Sequence, residues 1–247
     1  MLRLSPSALR LRKMVARGEL TIIPVGFRCH TKIELSKQLG LKGKSLPFDN
    51  GFFPPQSVAS IMRNPQINLH SNHRVCIKYE SYSDPAHGNG IKFEGSTYDE
   101  IDEFATDPNN SDINMYLDAT YGYYTRDLTH NFVLAHYNWH KFADAKYHRH
   151  IDERSNVIND INDVLNRRVT RMFEACNASR HIIFVYAECQ QYNYMAVDNI
   201  HLDLKNLAVI RTEVDRIFPS KSLVVNMADV DSPKKILRLL NIKGICK

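Results

Sequence analysis

The sequence predicts an α/β protein with three layers, in which a mainly parallel sheet carries helices on both faces. Short apolar runs of strand length alternate along the chain with longer segments whose apolar residues recur at helical spacing. Such alternation favours parallel strands, because each connecting helix packs back onto a face of the sheet. At 247 residues the chain is predicted to form one domain, residues 1–247, with a long loop-rich insertion at about 64–126.

The first predicted element is a short basic helix within LRLSPSALRLRKMVARGEL. We expect it to pack on the domain, with peripheral contact to a membrane surface or a partner as the alternative. The apolar and basic residues of this helix are predicted on opposite sides: Leu9, Leu11 and Val15 against Arg10, Arg12, Lys13 and Arg17.

A strand, a turn and a helix are predicted next, within TIIPVGFRCHTKIELSKQLGL. The strand reaches a turn at Gly26, and Cys29 comes just before the helix. Free N–H groups and the helix dipole stabilise an anion at a helix start, so the pKa of a thiol there is lowered. A lowered pKa suits a nucleophile, and the alternative is a small buried apolar residue. The predicted apolar face of the helix comprises Ile33, Leu35, Leu39 and Leu41.

The insertion at about 64–126 is rich in Asn, Asp, Ser, Tyr and Gly, and long loops of this kind usually carry function. Within it, RVCIKYE is predicted as a strand and YDEIDEFATD as an acidic helix or turn.

In the remaining chain, predicted strands alternate regularly with predicted helices. Strands are predicted in HNFVLAHYN, HIIFVYAEC and SLVVNMAD, and helices in ERSNVINDINDVLNRRVTRMFEAC, NIHLDLKNLAVIRTEVDRIFP and DSPKKILRLLNI.

Polar side chains follow several of the predicted strands. Ligands of an open parallel sheet bind beyond the carboxyl ends of its strands, so residues there are expected to gather at one edge. A cysteine, a histidine and an acid or amide at that edge would have the general form of a nucleophilic site. The candidate site residues at these strand ends are Gly26, Arg28, Cys29, His30, His136, Asn138, His140 and Glu188.

The segment SLPFDN supplies two further candidates, Asp49 and Asn50. Pro47 is expected to start a turn that packs Phe48 against the core and holds Asp49 close to the preceding helix. Asp49 then orients a histidine, binds a substrate hydroxyl or caps the turn. His136 directly follows an apolar run, and it is either a catalytic base or a hydrogen-bonded structural histidine.

The cysteine and histidine patterns do not favour a metal site or a disulfide framework. The five cysteines are odd in number and form no CxxC, which excludes a zinc ribbon. His136 and His140 lack the glutamate of an HExxH motif, so no metal is expected. Walker A, GxGxxG and GxSxG motifs are also missing from the sequence, and no cofactor is expected.

Charge and hydropathy restrict the partners and the location. A formal net charge of +5 permits an anionic ligand but is no strong nucleic-acid signal. No apolar run approaches the roughly 18 residues of a membrane span. The N-terminus lacks the apolar core of a secretory signal. The expected location is therefore cytoplasmic.

The motifs VGFRC and LPFDNGFF, separated by a helix that ends in LGL, resemble a family of bacterial and viral proteins of unknown function named as papain-like cysteine peptidases. The family pattern is G-x-x-C, then P-F-D with an aromatic residue, and later a strand-end histidine. The resemblance covers about residues 21–187, and Asn50 stands where the family has tryptophan. It implies Cys29 as nucleophile, His136 as base and Asp49 or an amide as the orienting group. It also implies a cysteine on a helix and a histidine on an antiparallel sheet.

Three functions remain open at this point. The first is a cysteine-dependent hydrolase, peptidase-like, or an acyl transferase, acting on a small-molecule, glycan or peptide substrate. The second is a glycosyltransferase-like or nucleotide-sugar-handling enzyme of surface-polysaccharide synthesis, in which the Gly26–Cys29 turn binds phosphate and Asp49 or His136 is the base. The third is a non-catalytic interaction module whose tyrosine-rich loops bind a partner.

Overall fold

The structure is a computed structural model that describes residues 5–26, 30–40, 43–75, 77–79, 124–127, 129–134, 154–188, 194–197, 200–230 and 232–242. The helices in these ranges are α1 (Pro6–Ala16), α2 (His30–Leu39), α3 (Pro55–Arg63), α4 (Arg154–Ala178), α5 (Ala208–Ile217) and α6 (Pro233–Ile242), with 3₁₀ turns at Pro47–Asn50 and Met227–Val230. The strands are β1 (Leu20–Gly26), β2 (Gly51–Phe52), β3 (Leu69–Val75), β4 (Ile77–Tyr79), β5 (Tyr124–Asp127), β6 (Phe132–Leu134), β7 (His181–Ala187), β8 (Tyr194–Val197), β9 (Ile200–Asp203) and β10 (Ser222–Asn226).

A parallel sheet with the strand order β1-β7-β10 lies at the centre. All seven residues of β7 are buried, as expected for a central strand that is covered on both faces. The register pairs Leu20 with His181 and Gly26 with Ala187, so β1 and β7 end level with each other. The mixed α/β class predicted from the sequence is confirmed.

Successive side chains of β7 enter two separate apolar clusters, because residues of a strand alternate between its faces. Phe184 and Tyr186 belong to a cluster with residues of α3, α4 and α5. Ile183 and Val185 belong to a second cluster with residues of α1, α2 and α6. Helices α1, α2 and α6 therefore share one face of the parallel sheet.

The remaining described strands form two antiparallel sheets, ordered β2-β6-β5-β3 and β4-β8-β9. Strand β6 is the apolar run before His136, so the prediction that this run joins the parallel sheet is wrong. Only four residues separate Asp127 of β5 from Phe132 of β6, and parallel strands need a much longer crossover. Asn131 N–H closes this connection by donating to Asp127 O at 2.9 Å, and its φ of 56° is one that asparagine tolerates.

The predicted helix over NIHLDLKNLAVIRTEVDRIFP is correct only in its second part. Ile200–Asp203 is strand β9, and the helix α5 begins at Ala208. Asp203 accepts hydrogen bonds from the N–H groups of Lys205 and Asn206, which turns the chain between the two elements. RVCIKYE is confirmed as strand, since β3 and β4 cover most of it. Most of the insertion, including YDEIDEFATD, lies outside the described residues.

The outward faces of two helices differ from the predicted ones. Leu9 and Ile33, both assigned to apolar faces, are 46% and 44% exposed. Helix α1 instead buries Ala8, Leu11 and Met14. Helix α1 therefore packs on the domain, as predicted. However, Leu9, which was expected on its apolar side, faces solvent.

A buried carboxylate ties α3 to α5. Glu213 is 4% exposed and accepts hydrogen bonds from Arg63 Nη2 at 3.0 Å and from Arg216 Nε at 2.8 Å. Burial alone would raise the pKa of Glu213, but the bonds from Arg216 and Arg63 outweigh it and hold the pKa below its usual value. The ionised form is therefore favoured in the folded chain.

We expect Glu213→Gln to lower the free energy of unfolding at neutral pH by about 1–3 kcal/mol, because bonds to an ionised group are lost. Since the folded pKa lies below the ordinary 4.5, the contribution of Glu213 is present above that value and is lost as the pH falls through the folded pKa. Urea unfolding at neutral and acidic pH measures this, and the variant should lose less stability on acidification. The exposed Asp163, changed to Asn, is the control; an equal loss in both variants would contradict the assignment.

Candidate functional site

The carboxyl end of β1 is a tightly packed position that only glycine fits. Gly26 has a φ of +114°, which L side chains rarely adopt. A Cβ built on Gly26 would lie 2.5 Å from the backbone oxygen of Ala187, the last residue of β7. The close approach of two strand ends therefore depends on the absence of a side chain at Gly26.

Two hydrogen bonds hold the same strand end. The buried Thr31 hydroxyl donates to Val25 O at 3.0 Å, which ties the first turn of α2 to β1. From the other side, Phe53 N–H donates to Gly26 O at 3.3 Å. The end of β1 is thus positioned by one side-chain hydrogen bond and one backbone hydrogen bond.

Helix α2 begins at His30, so only three residues, 27–29, connect Gly26 to the helix. The predicted strand and helix of this segment are confirmed, and the predicted turn between them lies outside the described residues. Arg28 and Cys29 lie outside the described residues, and His30 is described in its backbone alone.

Asp49 is a buried carboxylate beside this turn. It lies in the 3₁₀ turn Pro47–Asn50 and is 4% exposed. Its Oδ2 accepts from Lys32 Nζ at 2.6 Å and from Leu46 N–H at 2.9 Å. Among the described residues, Oδ1 of Asp49 has no hydrogen-bond partner. A buried carboxylate oxygen normally accepts a hydrogen bond, so Oδ1 is available for an N–H or O–H group.

Aromatic packing fixes the 3₁₀ turn that carries Asp49. Phe48 is 1% exposed and meets the edge of the Phe53 ring, with 5.2 Å between centroids. Phe53 in turn stacks on Phe132 of β6 at 4.6 Å. The prediction that Phe48 packs into the core and holds Asp49 near α2 is confirmed.

Lys32 is a site residue that the sequence reasoning missed. Its side chain is 26% exposed and forms the ion pair with Asp49. The available signal was its position in the first turn of α2, one turn before the buried Leu35. The predicted apolar face includes the exposed Ile33 beside the buried Leu35, which directs Lys32 away from the core in the prediction.

Glu188 lies directly after β7, whose last residue, Ala187, pairs with Gly26. Its side chain is 23% exposed and lies 3.5 Å from Lys205 Nζ. Gly26 and Glu188 therefore lie at the adjacent carboxyl ends of β1 and β7.

The remaining predicted site residues are not described in their side chains. His136, Asn138 and His140 lie outside the described residues, and Asn50 is described in its backbone alone. The chain leading to His136 is nevertheless located, because Leu134 pairs with Gly51 in the antiparallel pair of β2 and β6.

Metal sites, membrane-spanning helices and reactive thiols are the other functional features on which the described residues bear. No group of three or more His, Cys, Asp or Glu side chains in the described part of the chain is arranged to hold a metal ion. None of the described helices combines the length and the apolar character that crossing a membrane requires. Cys176 is a free, fully buried thiol of α4, and burial raises its pKa to about 12. Such a thiol is inert at neutral pH.

Comparison of the chain with protein-family models, curated proteins and solved structures gave no match. The resemblance to papain-like cysteine peptidases therefore depends on the motifs around Cys29 and Asp49.

Proposed function

We propose that the protein is a cysteine-dependent hydrolase or acyl transferase of the cytoplasm, with Cys29 as nucleophile, His136 as base and Asp49 as the orienting acid. The substrate is a small molecule, a glycan or a peptide. We further propose that the parallel sheet and its helices form a three-layer α/β domain. The substrate-contacting residues in this proposal are Gly26, Arg28, His30, Asn50, Asn138, His140 and Glu188.

The observation that carries the proposal is the start of α2 at His30, one residue after Cys29. Thiols at helix starts have a lowered pKa, because the dipole and the free N–H groups stabilise the thiolate. The following residue, Thr31, is tied to Val25 by its hydroxyl, so the helix start is held against the strand end. A fixed helix start provides N–H groups that can bind an oxyanion.

The free oxygen of Asp49 supports its role as the orienting group. Oδ2 is occupied by Lys32 and Leu46, which leaves Oδ1 to accept from an imidazole N–H. Leu134 pairs with Gly51, two residues after Asp49, and His136 follows Leu134 by two residues. Two residues of chain span at most about 7 Å, which limits the distance between Leu134 and His136 in this proposal. β6 also belongs to an antiparallel sheet, as the family resemblance implies for the histidine.

The chemistry follows from these roles. The Cys29 thiolate attacks the substrate carbonyl, and the helix N–H groups stabilise the oxyanion. Protonated His136 gives its proton to the leaving group as the carbon–heteroatom bond breaks, and a thioester remains on Cys29. Water or an acceptor nucleophile then transfers its proton to His136 and attacks the thioester, and the carbon–sulfur bond breaks to restore the Cys29 thiolate beside protonated His136. Asp49 stabilises the imidazolium during both steps.

A nucleotide-sugar-handling enzyme is the second candidate function, and the packing at Gly26 favours it. The close approach of the Gly26 and Ala187 backbones, followed by a short turn into a helix, is an arrangement that also binds phosphate. In that case Cys29 is structural. A large, saturable rise in melting temperature with one nucleotide sugar, retained in Cys29→Ala, would support this function over thiol chemistry.

The expected result for Cys29→Ala is loss of turnover by at least about 100-fold on thioester, ester and peptide substrates, since the nucleophile is removed. The matched control is Cys176→Ala, which removes a buried thiol remote from the turn and should retain turnover. Single-turnover assays with both variants provide the measurement. Equal turnover in Cys29→Ala and the unchanged protein would overturn the proposal.

A further inference from the structure

Helices α1 and α6 form one side of the molecule. They pack against each other and share an apolar cluster through residues such as Leu11, Met14, Ile236 and Leu240. Because both helices cover the same face of the parallel sheet, their exposed sides point away from it in the same direction. The surface made by these two exposed sides is called the α1/α6 face below.

The α1/α6 face carries only positive charge on its two helices. Neither α1 nor α6 contains an aspartate or a glutamate. Other described helices mix both signs of charge: α2 of the same layer carries Glu34, and α4 of the other layer carries Asp160, Asp163 and Glu174 among its arginines. The six basic residues of the α1/α6 face, all exposed, are Arg10, Arg12, Lys13, Lys234, Lys235 and Arg238.

An exposed leucine lies within this positive charge. Leu9 is 46% exposed and is one of two large apolar side chains exposed to this extent in the described part of the chain. It lies four residues before Lys13 on α1, so both project from the same side of the helix, away from the buried Ala8 and Leu11. A leucine surrounded by cations is typical of a surface that enters the headgroup layer of a membrane.

We infer that the α1/α6 face binds an anionic lipid surface. Lysine and arginine near such a surface each contribute about a fivefold gain in partitioning, and Leu9 adds contact with the acyl boundary. A nucleic acid would use the same cations for its phosphates, but it offers no apolar layer for Leu9. In this inference the protein contacts the membrane surface through α1 and α6.

Vesicle flotation tests this inference with the full chain. The vesicles are phosphatidylcholine alone or an equimolar mixture with phosphatidylglycerol, at low and high salt. We expect binding only to the anionic vesicles, with loss at high salt. Lys13→Glu and Arg238→Glu should each weaken binding at least about fivefold, and Leu9→Ser should weaken it without changing its salt dependence.

The matched control is Arg167→Glu, the same change of charge at an exposed position of α4 in the other helical layer. It should alter binding less than about twofold. Circular dichroism confirms that each variant is folded. An equal effect of Arg167→Glu and Lys13→Glu, or no binding to anionic vesicles, would overturn the inference. Binding of the protein to duplex DNA but not to the vesicles would also overturn the inference.

Discussion

Replacement of Gly26 by alanine is expected to destabilise the protein by about 2–5 kcal/mol. A Cβ at this position would lie 2.5 Å from Ala187 O and 3.1 Å from Ala187 N, and both are backbone atoms that cannot rotate away. Overpacking of this kind costs about 1–3 kcal/mol, and the φ of +114° adds strain of a similar size. Chemical denaturation of Gly26→Ala measures the loss.

Alanine substitutions at two other glycines measure backbone strain and steric crowding separately. Gly18 has a φ of +69° but an open surrounding, so Gly18→Ala should cost only the strain, about 1–2 kcal/mol. Gly43 has open space and no positive φ, and Gly43→Ala should change stability by less than about 1 kcal/mol. A cost for Gly26→Ala no larger than that for Gly18→Ala would contradict the close approach of β1 and β7.

The ion pair between Lys32 and Asp49 is expected to dominate the stability of the site. Lys32→Met leaves Leu46 N–H as the one donor to the buried Asp49 carboxylate among the described residues, and should cost about 2–3 kcal/mol. Addition of Asp49→Asn to this variant removes the uncompensated charge and should recover part of the loss. A double-mutant cycle of Lys32→Met and Asp49→Asn, measured by urea unfolding, gives the coupling energy.

A surface pair with the same geometry provides the control. Lys37 lies 2.6 Å from Glu34 on the same helix, but its side chain is 67% exposed. Lys37→Met should therefore cost less than about 0.5 kcal/mol, because exposed pairs are screened by water. Equal costs for Lys37→Met and Lys32→Met would show that burial of Asp49 does not strengthen its pair.

The local parts of the site follow from the sequence because they depend on neighbours in the chain. An apolar run that ends at Gly26 predicts a strand and a turn, and Pro47 before Phe48 predicts the turn that buries the ring. The position of Pro233 at the first residue of α6 was likewise predictable. Each of these features uses interactions within a few residues.

The contacts between distant segments were not predictable in the same way. The need for glycine at Gly26 arises from Ala187, which comes from another strand. The direction of Lys32 depends on Thr31 being buried, and a polar residue can face inwards there only because Val25 O accepts its hydroxyl. Strand β6 is as apolar as a parallel strand, and only the short connection after Asp127 determines its antiparallel pairing.

In the proposed function, the start of α2 activates the Cys29 thiol. The pH dependence of Cys29 alkylation by iodoacetamide, followed by mass spectrometry of the peptide, tests it most directly. Cys176 is an internal reference, because its pKa of about 12 keeps it unmodified while the protein is folded. We expect the midpoint of the pH profile of Cys29 alkylation to lie below about 7.5 in the folded protein, against about 8.5 for the urea-unfolded chain. The midpoint should be higher in His136→Ala. The same midpoint for the folded and the unfolded chain would contradict the activation of the Cys29 thiol.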